Sequence, residues 1–221
     1  MKICILTYDY PHIKTAQVYF GLQASRRHKI DFMIMPFKKR EPRKVLFSHR
    51  PEQFVGCSAQ SISLRDKNQL HKYEDWKRQI DNYDYFIVCG SNLIDKDFAS
   101  SSKILNVHSG LIPKSRGLDS FKWAILKNIQ LGNTLHIINE EADAGEIIYH
   151  YETPVFLEDD ILTLAVRHYQ MEMWMLQNFD SLLADKKVNE YETNNATMRM
   201  NIKKEADMLK AFDEYKKYHA R

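Results

Sequence analysis

Three residues of this chain have side chains suited to catalysis and a spacing that can bring them together: Asn106, His108 and Asp143. If residues 104–108 form a strand, the side chains of Asn106 and His108 emerge on the same face, because they are two positions apart. Asp143 precedes an alanine and a glycine, so a loop can carry its carboxylate over them. An amide, an imidazole and a carboxylate around one cleft suit attack of an amine on an activated one-carbon carbonyl group.

None of these residues is diagnostic alone. An asparagine near a strand end is most often a turn residue, and a histidine in an apolar run usually has a structural role. Asp143 lies beside two glutamates, and such a stretch is usually a solvated loop. Five of the seven glycines, however, fall between residues 90 and 145, which indicates sharp turns or close ligand approach in this region.

The composition limits the class of protein. A length of 221 residues suffices for one α/β domain and a short appendage. The net charge of +3 is too small to predict nucleic-acid binding. The three cysteines are scattered without a CxxC pair, which predicts reduced thiols in a cytoplasmic protein. No run predicts a signal peptide or a membrane span, so we expect no membrane association.

Apolar runs alternate with helical patterns along the chain. The predicted strands are Lys2–Tyr8, Ile30–Met35, Tyr85–Cys89, Lys103–His108, Leu135–Asn139 and Ile147–Tyr151. The predicted helices are Lys14–His28, Lys67–Ile80, Asp119–Asn128 with Asp119 as N-cap, 160–184 capped by Asp159, and Lys203–Tyr218 with Ala206, Leu209, Lys210 and Phe212 near one face. Pro36–Pro51 is basic and rich in proline, and Lys186–Met200 is polar, so both are predicted to be irregular.

This alternation predicts an α/β, Rossmann-like fold with a mostly parallel twisted sheet and helices on both faces. Residues 1–185 would form the catalytic domain, and residues 186–221 a polar segment and a short C-terminal helical appendage. In such sheets the ligand binds beyond the carboxyl ends of the strands, where Asn106 and His108 are expected.

A set of short motifs over residues 84–155 resembles the formyltransferase family, whose members use N10-formyltetrahydrofolate as donor. The motifs are Asn106-x-His108, Leu111-x-Pro113, Arg116-Gly117, Trp123-Ala124, Gly132-x-Thr134-x-His136 and Asp143-x-Gly145-x-Ile147-Ile148. One departure is Gly110, where the family often has serine.

The resemblance implies acyl transfer to an amine without a metal. The Asn106 amide would donate a hydrogen bond to the oxyanion, and Asp143 would hold the imidazole of His108, directly or through a water. His108 would act either as general base or, protonated, as a second oxyanion donor. For His136 we expect a structural role in supporting the loop that follows it.

The resemblance leaves three acceptor classes. The chain is most similar to enzymes that formylate a nucleotide-linked (dTDP or UDP) amino sugar for bacterial surface polysaccharides such as the lipopolysaccharide O-antigen. The alternatives are a phosphoribosylglycinamide formyltransferase-like enzyme and a methionyl-tRNA formyltransferase-like enzyme that lacks its C-terminal β-barrel. About 65 residues follow Val155, and they are predicted to be helical. The turn after the first strand has no glycine before Gly21, whereas the purine-pathway enzymes hold phosphate there with a glycine- and serine-rich loop.

The resemblance also suggests binding residues. For the folate they are Gly90, Leu93, Ile94, Asn139, Glu141 and Asp143, and for the amino-sugar substrate Tyr8, Tyr10, Arg50 and Lys114. Apolar groups around much of helix 160–184 suggest a possible homodimer interface. A non-catalytic folate or nucleotide-sugar binding module is the remaining hypothesis, and the intact trio Asn106, His108 and Asp143 argues against it.

Overall fold

The computed structural model describes residues 1–37, 43–141, 143, 145–184 and 195–221. Its strands are β1 (Lys2–Tyr8), β2 (Lys29–Met35), β3 (Leu70–Lys72), β4 (Tyr85–Val88), β5 (Ile104–His108), β6 (Gly132–Ile137) and β7 (Glu146–Glu152). Its helices are α1 (Ile13–Ser25), α2 (Ala59–Asp66), α3 (Trp76–Gln79), α4 (Lys96–Ala99), α5 (Ser120–Leu126), α6 (Ile161–Gln177), α7 (Phe179–Ala184) and α8 (Ile202–His219).

The seven strands form one sheet in the order β3-β2-β1-β4-β5-β6-β7. The first five strands in this order are parallel, whereas β6 and β7 are antiparallel to their neighbours. The inner strand β1 has five consecutive buried residues, because a parallel strand covered on both faces is largely apolar. The predicted α/β fold with a mostly parallel sheet is therefore confirmed.

The predicted helix Lys67–Ile80 is confirmed only in its second half, where α3 lies between short 3₁₀ turns at Tyr73–Asp75 and Ile80–Asn82. A longer helix, α2, lies earlier and was not predicted; the Ser58 side chain caps it by accepting a hydrogen bond from the backbone of Ser61. Lys67 adopts a left-handed conformation and ends α2, and Leu70–Lys72 then pairs with β2 as a short edge strand. Pairing with β2, and not the local sequence, makes these residues a strand. A three-residue strand that ends in a charged residue is also too short to show a periodic pattern.

The long helix also differs from its prediction. Its N-cap is Asp160, which accepts a hydrogen bond from the backbone of Thr163 at 2.7 Å. Asp159 instead forms an ion pair with Arg167, with contacts of 2.6 and 2.7 Å. The predicted span 160–184 is interrupted at Asn178, which separates α6 from α7.

Helix α8 confirms the predicted C-terminal helix, but of the four residues predicted near one face only Phe212 is buried. The buried residues are Glu205, Met208, Phe212 and Tyr215, whereas Ala206, Leu209 and Lys210 are only partly buried or exposed. Glu205 is buried because Lys122 of α5 donates to its carboxylate at 2.6 Å. Helix α8 thus joins the core that α5 and α6 form.

Two predicted irregular segments lie partly outside the described residues, namely 38–42 of the basic loop and 186–194 of the polar segment. The parts that are described, 43–51 and 195–200, contain no helix or extended strand, in line with the prediction. Among the described helices, none is long and apolar enough to cross a bilayer.

Candidate active site

The carboxyl half of β5 brings Asn106 and His108 to one edge of the sheet. Antiparallel pairing with β6 sets Asn106 opposite His136. The Asn106 side-chain nitrogen lies 3.2 Å from Nε2 of His136. An amide nitrogen only donates, so Nε2 accepts and the ring is neutral. Burial, reinforced by the nearby charge of His108, lowers the pKa of His136 to about 4, which keeps the ring neutral. His136 therefore orients the Asn106 amide, a different structural role from the expected support of the following loop.

His108 has a hydrogen-bond acceptor at each ring nitrogen. Its Nδ1 lies 3.2 Å from Oδ1 of Asp143, and its Nε2 lies 2.9 Å from the carbonyl oxygen of Ser115. A neutral imidazole carries one N–H, so only the doubly protonated ring satisfies both acceptors. The Ser120 hydroxyl, 3.0 Å from Nε2, is then left to donate to the carbonyl oxygen of Gly117 at 2.9 Å. Both ring nitrogens of His108 thus face acceptors, and Nδ1 contacts Asp143 without an intervening group.

Asp143 is held by a second donor, the backbone N–H of Gly117, which lies 3.1 Å from Oδ2. Its backbone adopts the left-handed region with a φ of 50°, which an aspartate tolerates better than most residues. Burial acts to raise the pKa of Asp143, but the hydrogen bond and charge of His108 outweigh it and hold the pKa below its usual value. The carboxylate is consequently ionised at neutral pH.

The loop after β5 closes tightly around His108, and this explains Gly110. A Cβ atom at position 110 would lie 2.5 Å from the Ser115 carbonyl oxygen and 2.9 Å from Nε2 of His108. A serine at 110 would therefore require this loop to shift. The sequence interpretation did not identify Ser115 or Ser120 as partners of His108, because a backbone carbonyl leaves no signal in a sequence.

The trio borders two adjoining cavities. We call the larger, of about 510 Å³, the central chamber, and the smaller, of about 200 Å³, the side chamber. Asn106 and Asp143 line both, and His108 lines the central chamber. Asn106 and Asp143 can thus contact a ligand in either chamber, and His108 can contact a ligand in the central chamber.

The residues predicted to bind the folate fall mostly around the side chamber, which is lined by Leu93, Ile94, Asn139, Glu141 and Asp143. Leu93 is almost fully exposed, so it stands at the rim. Gly90 lines the central chamber instead. A Cβ atom there would lie 2.6 Å from the Tyr8 ring, so glycine lets Tyr8 approach β4 closely.

The residues predicted to bind the acceptor are divided. Tyr8 and Arg50 line the central chamber. Tyr10 does not, because its ring stacks on Phe37 at a centroid distance of 4.9 Å and stays about half exposed. Lys114 is exposed in the turn after β5 and also lies outside the chamber lining.

The sequence analysis did not predict a buried ion-pair cluster that lies in the wall of the central chamber. Glu172 of α6 is 1 % exposed, and its carboxylate contacts both Lys14 and Arg50 at 2.7 Å. Burial acts to raise its pKa, but the two cations lower it to about 2, so Glu172 is ionised. A glutamate within an apolar stretch of methionines was the available signal, because a buried carboxylate requires a partner.

The geometry defines an α/β protein with an amide, an imidazole and a carboxylate at the edge of a mostly parallel sheet. Residues 15–179, about three quarters of the chain, match the Formyl transferase family. The chain therefore belongs to the formyl transferase family, which confirms the resemblance seen in the sequence.

Individual relatives are more distant. The phosphoribosylglycinamide formyltransferase of Haemophilus influenzae is 38 % identical over 73 residues, which are 33 % of this chain and 34 % of the relative. The match thus spans about a third of that relative's length.

Two solved structures show the same fold. A sugar N-formyltransferase from Shewanella sp FDAARGOS_354 has a TM-score of 0.65 at 19 % identity and covers 96 % of this chain and 87 % of its own. The formyltransferase PseJ from Anoxybacillus kamchatkensis, in complex with UDP-4,6-dideoxy-4-formamido-L-AltNAc and tetrahydrofolate, has a TM-score of 0.54 at 17 % identity and covers 89 % and 84 %.

Proposed function

We propose that the chain is a sugar N-formyltransferase that moves a formyl group from N10-formyltetrahydrofolate to the amine of a nucleotide-linked amino sugar. The observation that supports this most is the position of Asn106 and Asp143 in the shared wall of the two chambers. Formyl transfer needs two substrates that meet at one carbonyl carbon, and two cavities with a common polar wall suit that requirement.

The side chamber suits the pterin of the donor. Its wall combines apolar side chains of Ile94 and Ile138 with the backbone of the loop from Asn139 to Glu141. A flat heteroaromatic ring with several hydrogen-bond donors and acceptors needs apolar contacts on its two faces and backbone hydrogen bonds at its edge. The donor would bring the formyl carbon to the boundary where Asn106 stands.

The trio would then act through charge and hydrogen bonding. One N–H of the Asn106 amide is held by His136, and the other remains to donate to the oxygen that gains negative charge during attack. His108, protonated between Asp143 and Ser115, places a positive charge at the same boundary. Of the two roles left open by the sequence, this arrangement favours the electrostatic one over general base.

For the acceptor, the start of α1 argues against a phosphate at the turn after β1. The Ile13 N–H already donates to the carbonyl oxygen of Gln53 at 2.8 Å, and Pro11 has no N–H. This turn therefore offers fewer backbone N–H donors to a phosphate than the glycine-rich loop expected for a purine-pathway enzyme. The second candidate is nevertheless a phosphoribosylglycinamide formyltransferase, because the similar Haemophilus influenzae protein has that name.

The test is an acceptor panel with N10-formyltetrahydrofolate as donor. We expect mass spectrometry to detect formylation of at least one dTDP- or UDP-linked amino sugar, and expect glycinamide ribonucleotide to remain unmodified. Asn106→Ala serves as the control for contaminating activity. Turnover of glycinamide ribonucleotide alone would replace the proposal with the second candidate, and turnover of no acceptor would refute both.

A further inference from the structure

The central chamber has more positive than negative charge available to a ligand. Each carboxylate in or behind its wall already has a cationic partner: Asp143 has His108, Asp119 has Arg43 at 3.3 Å, and Glu172 is shared by Lys14 and Arg50. Because Glu172 balances only one of the two cations Lys14 and Arg50, one positive charge remains in this part of the wall. Arg199 also lines the chamber, is exposed, and forms no ion pair within the described part of the chain.

Arg199 is placed at the chamber by a well-anchored segment, residues 195–200. Thr197 forms a parallel bridge with Gly117, in which its N–H donates to the Arg116 carbonyl oxygen at 2.9 Å and its own carbonyl oxygen accepts from Leu118 at 2.8 Å. Met200, the next residue after Arg199, is 1 % exposed, and its N–H donates to Asp119 at 2.9 Å. The backbone is therefore held on both sides of Arg199, and its exposed side chain lines the cleft.

A third cavity continues from this point. This outer chamber, of about 540 Å³, shares Arg50 and Arg199 with the central chamber and is also lined by Arg43 and Lys122. Arg43 and Lys122 both contact Glu205, and Arg43 also contacts Asp119, so these two cations are balanced by two carboxylates. Arg50 and Arg199 therefore line both chambers. A guanidinium is the side-chain group best suited to bind phosphate oxygens in pairs, and Arg199 forms no ion pair in the described part of the chain. Arg50 already donates from Nη1 and Nη2 to Glu172, so it would add its remaining N–H groups and its charge.

We propose that Arg50 and Arg199 form a subsite for the phosphate groups of the acceptor, at the boundary between the central and outer chambers. The amine-bearing sugar would lie in the central chamber beside the trio, and the nucleoside would extend into the outer chamber. The identity of the acceptor rests on the proposed function, but the phosphate subsite is a property of the cleft and can be tested without turnover. It also gives the acceptor's phosphates a position away from the start of α1, where the Ile13 N–H is already bonded and Pro11 has none.

Binding of UDP and dTDP, measured by isothermal titration calorimetry on the full chain, tests the subsite directly. Arg199→Ala is expected to weaken binding about ten- to hundredfold, because a charge-assisted hydrogen-bond pair is lost. Lys203→Ala is the matched control, since it removes one exposed positive charge four residues away, outside the cleft. We expect it to leave the affinity within about twofold.

Arg199→Lys separates charge from geometry, because it keeps the charge and loses the fork; intermediate affinity is expected. Equal affinity of the wild type, Arg199→Ala and Lys203→Ala would overturn the subsite, and so would no binding of either nucleotide. A uniform weakening by both alanine variants would show general surface charge and also overturn it.

Steady-state kinetics then distinguish this inference from the proposed function. Arg199→Ala should raise KM for a nucleotide-linked acceptor about tenfold or more and leave kcat and KM for the donor nearly unchanged. If UDP or dTDP binds through Arg199 but only glycinamide ribonucleotide is formylated, the subsite stands and the proposed sugar acceptor fails. If a nucleotide-linked sugar is formylated equally well by Arg199→Ala, the proposed function stands and the subsite fails.

Discussion

Asn106 of β5 and His136 of β6 form a hydrogen-bonded pair across the sheet, with the amide nitrogen of Asn106 donating to Nε2 of His136 over 3.2 Å. The histidine is fully buried and neutral, so it serves as a fixed acceptor. The pair sets the direction of the remaining N–H of Asn106, a residue that lines both chambers.

Removal of that acceptor should affect the rate more than substrate binding. His136→Phe leaves the amide free to rotate, and we expect kcat to fall about tenfold or more with KM values little changed. His136→Gln retains a side-chain acceptor and should recover much of the lost rate. Thermal unfolding of both variants checks that they fold, and equal kcat values for the two variants would contradict the orienting role.

Asn106 itself should contribute mainly to the transition state. For Asn106→Ala we expect kcat to fall about 10²–10³-fold, the usual effect of removing one oxyanion donor. Binding of the donor, followed by fluorescence quenching, should change much less. Unchanged turnover of every acceptor would remove the main support for the catalytic interpretation.

The loop that surrounds His108 depends on a contact with the distant C-terminal segment. Gly117 has a φ of 90°, and a Cβ atom there would overlap the backbone of Thr197. Gly117→Ala should therefore lower both stability and kcat, because Gly117 also donates to Asp143. Gly56→Ala is a closely matched control, since Gly56 has a φ of 91° but no heavy atom within 4 Å of the added Cβ.

The control variant should be destabilised by only about 1 kcal/mol, the cost of the backbone conformation, with kcat unchanged. The difference between the two variants in urea unfolding isolates the Thr197 contact. If Gly117→Ala matched Gly56→Ala in both stability and kcat, the contact would have no role in holding the loop.

Three buried histidines should make the protein less stable in mild acid. Burial is the main cause that lowers the pKa of His12 and His136 to about 4 and that of His168 to about 3. Between pH 6.5 and about 4 the unfolded chain binds protons at these positions and the folded chain does not. The free energy of unfolding therefore falls with decreasing pH, by at most about 1.4 kcal/mol per pH unit for each histidine.

Melting curves at pH 7, 6 and 5 in constant salt measure this effect. His136→Gln should show a shallower decline than the wild type, because one titrating group is lost. A melting temperature independent of pH across this range, or an identical decline in the variant, would contradict the assignment of neutral buried rings.

The elements that sequence reasoning located are those with a strong local pattern. Strands β1, β2 and β4 are mostly apolar, with Asp31 as the charged exception inside β2, and their predicted bounds agree with the structure within one residue. Strand β3 and helix α2 were missed, because the first is held by pairing with β2 and the second is largely polar. In both cases tertiary contacts decide the conformation and local propensity is weak.

The same distinction between local sequence pattern and tertiary contacts holds for the candidate active site. The motifs contain the trio and also His136 and Gly117, but they did not predict the contacts of these two residues with Asn106 and Asp143. The Ser115 carbonyl oxygen and the His136 acceptor are visible only once the chain is folded. Arg199 was overlooked for a related reason, since its approach to the cleft depends on the bridge between Gly117 and Thr197.

The bridge between Gly117 and Thr197 has a consequence for how the protein folds. The hydrogen bond from Thr197 to Arg116 joins residues 81 positions apart, so a long loop must close before it can form. The pairing of β1 with β4 spans a similar separation, since Ile3 pairs with Tyr85, but buried apolar strands stabilise it, whereas the bridge at Thr197 is isolated. We therefore expect a refolding chain to regain its sheet before its activity, with a lag that stopped-flow fluorescence and a coupled rate measurement would resolve.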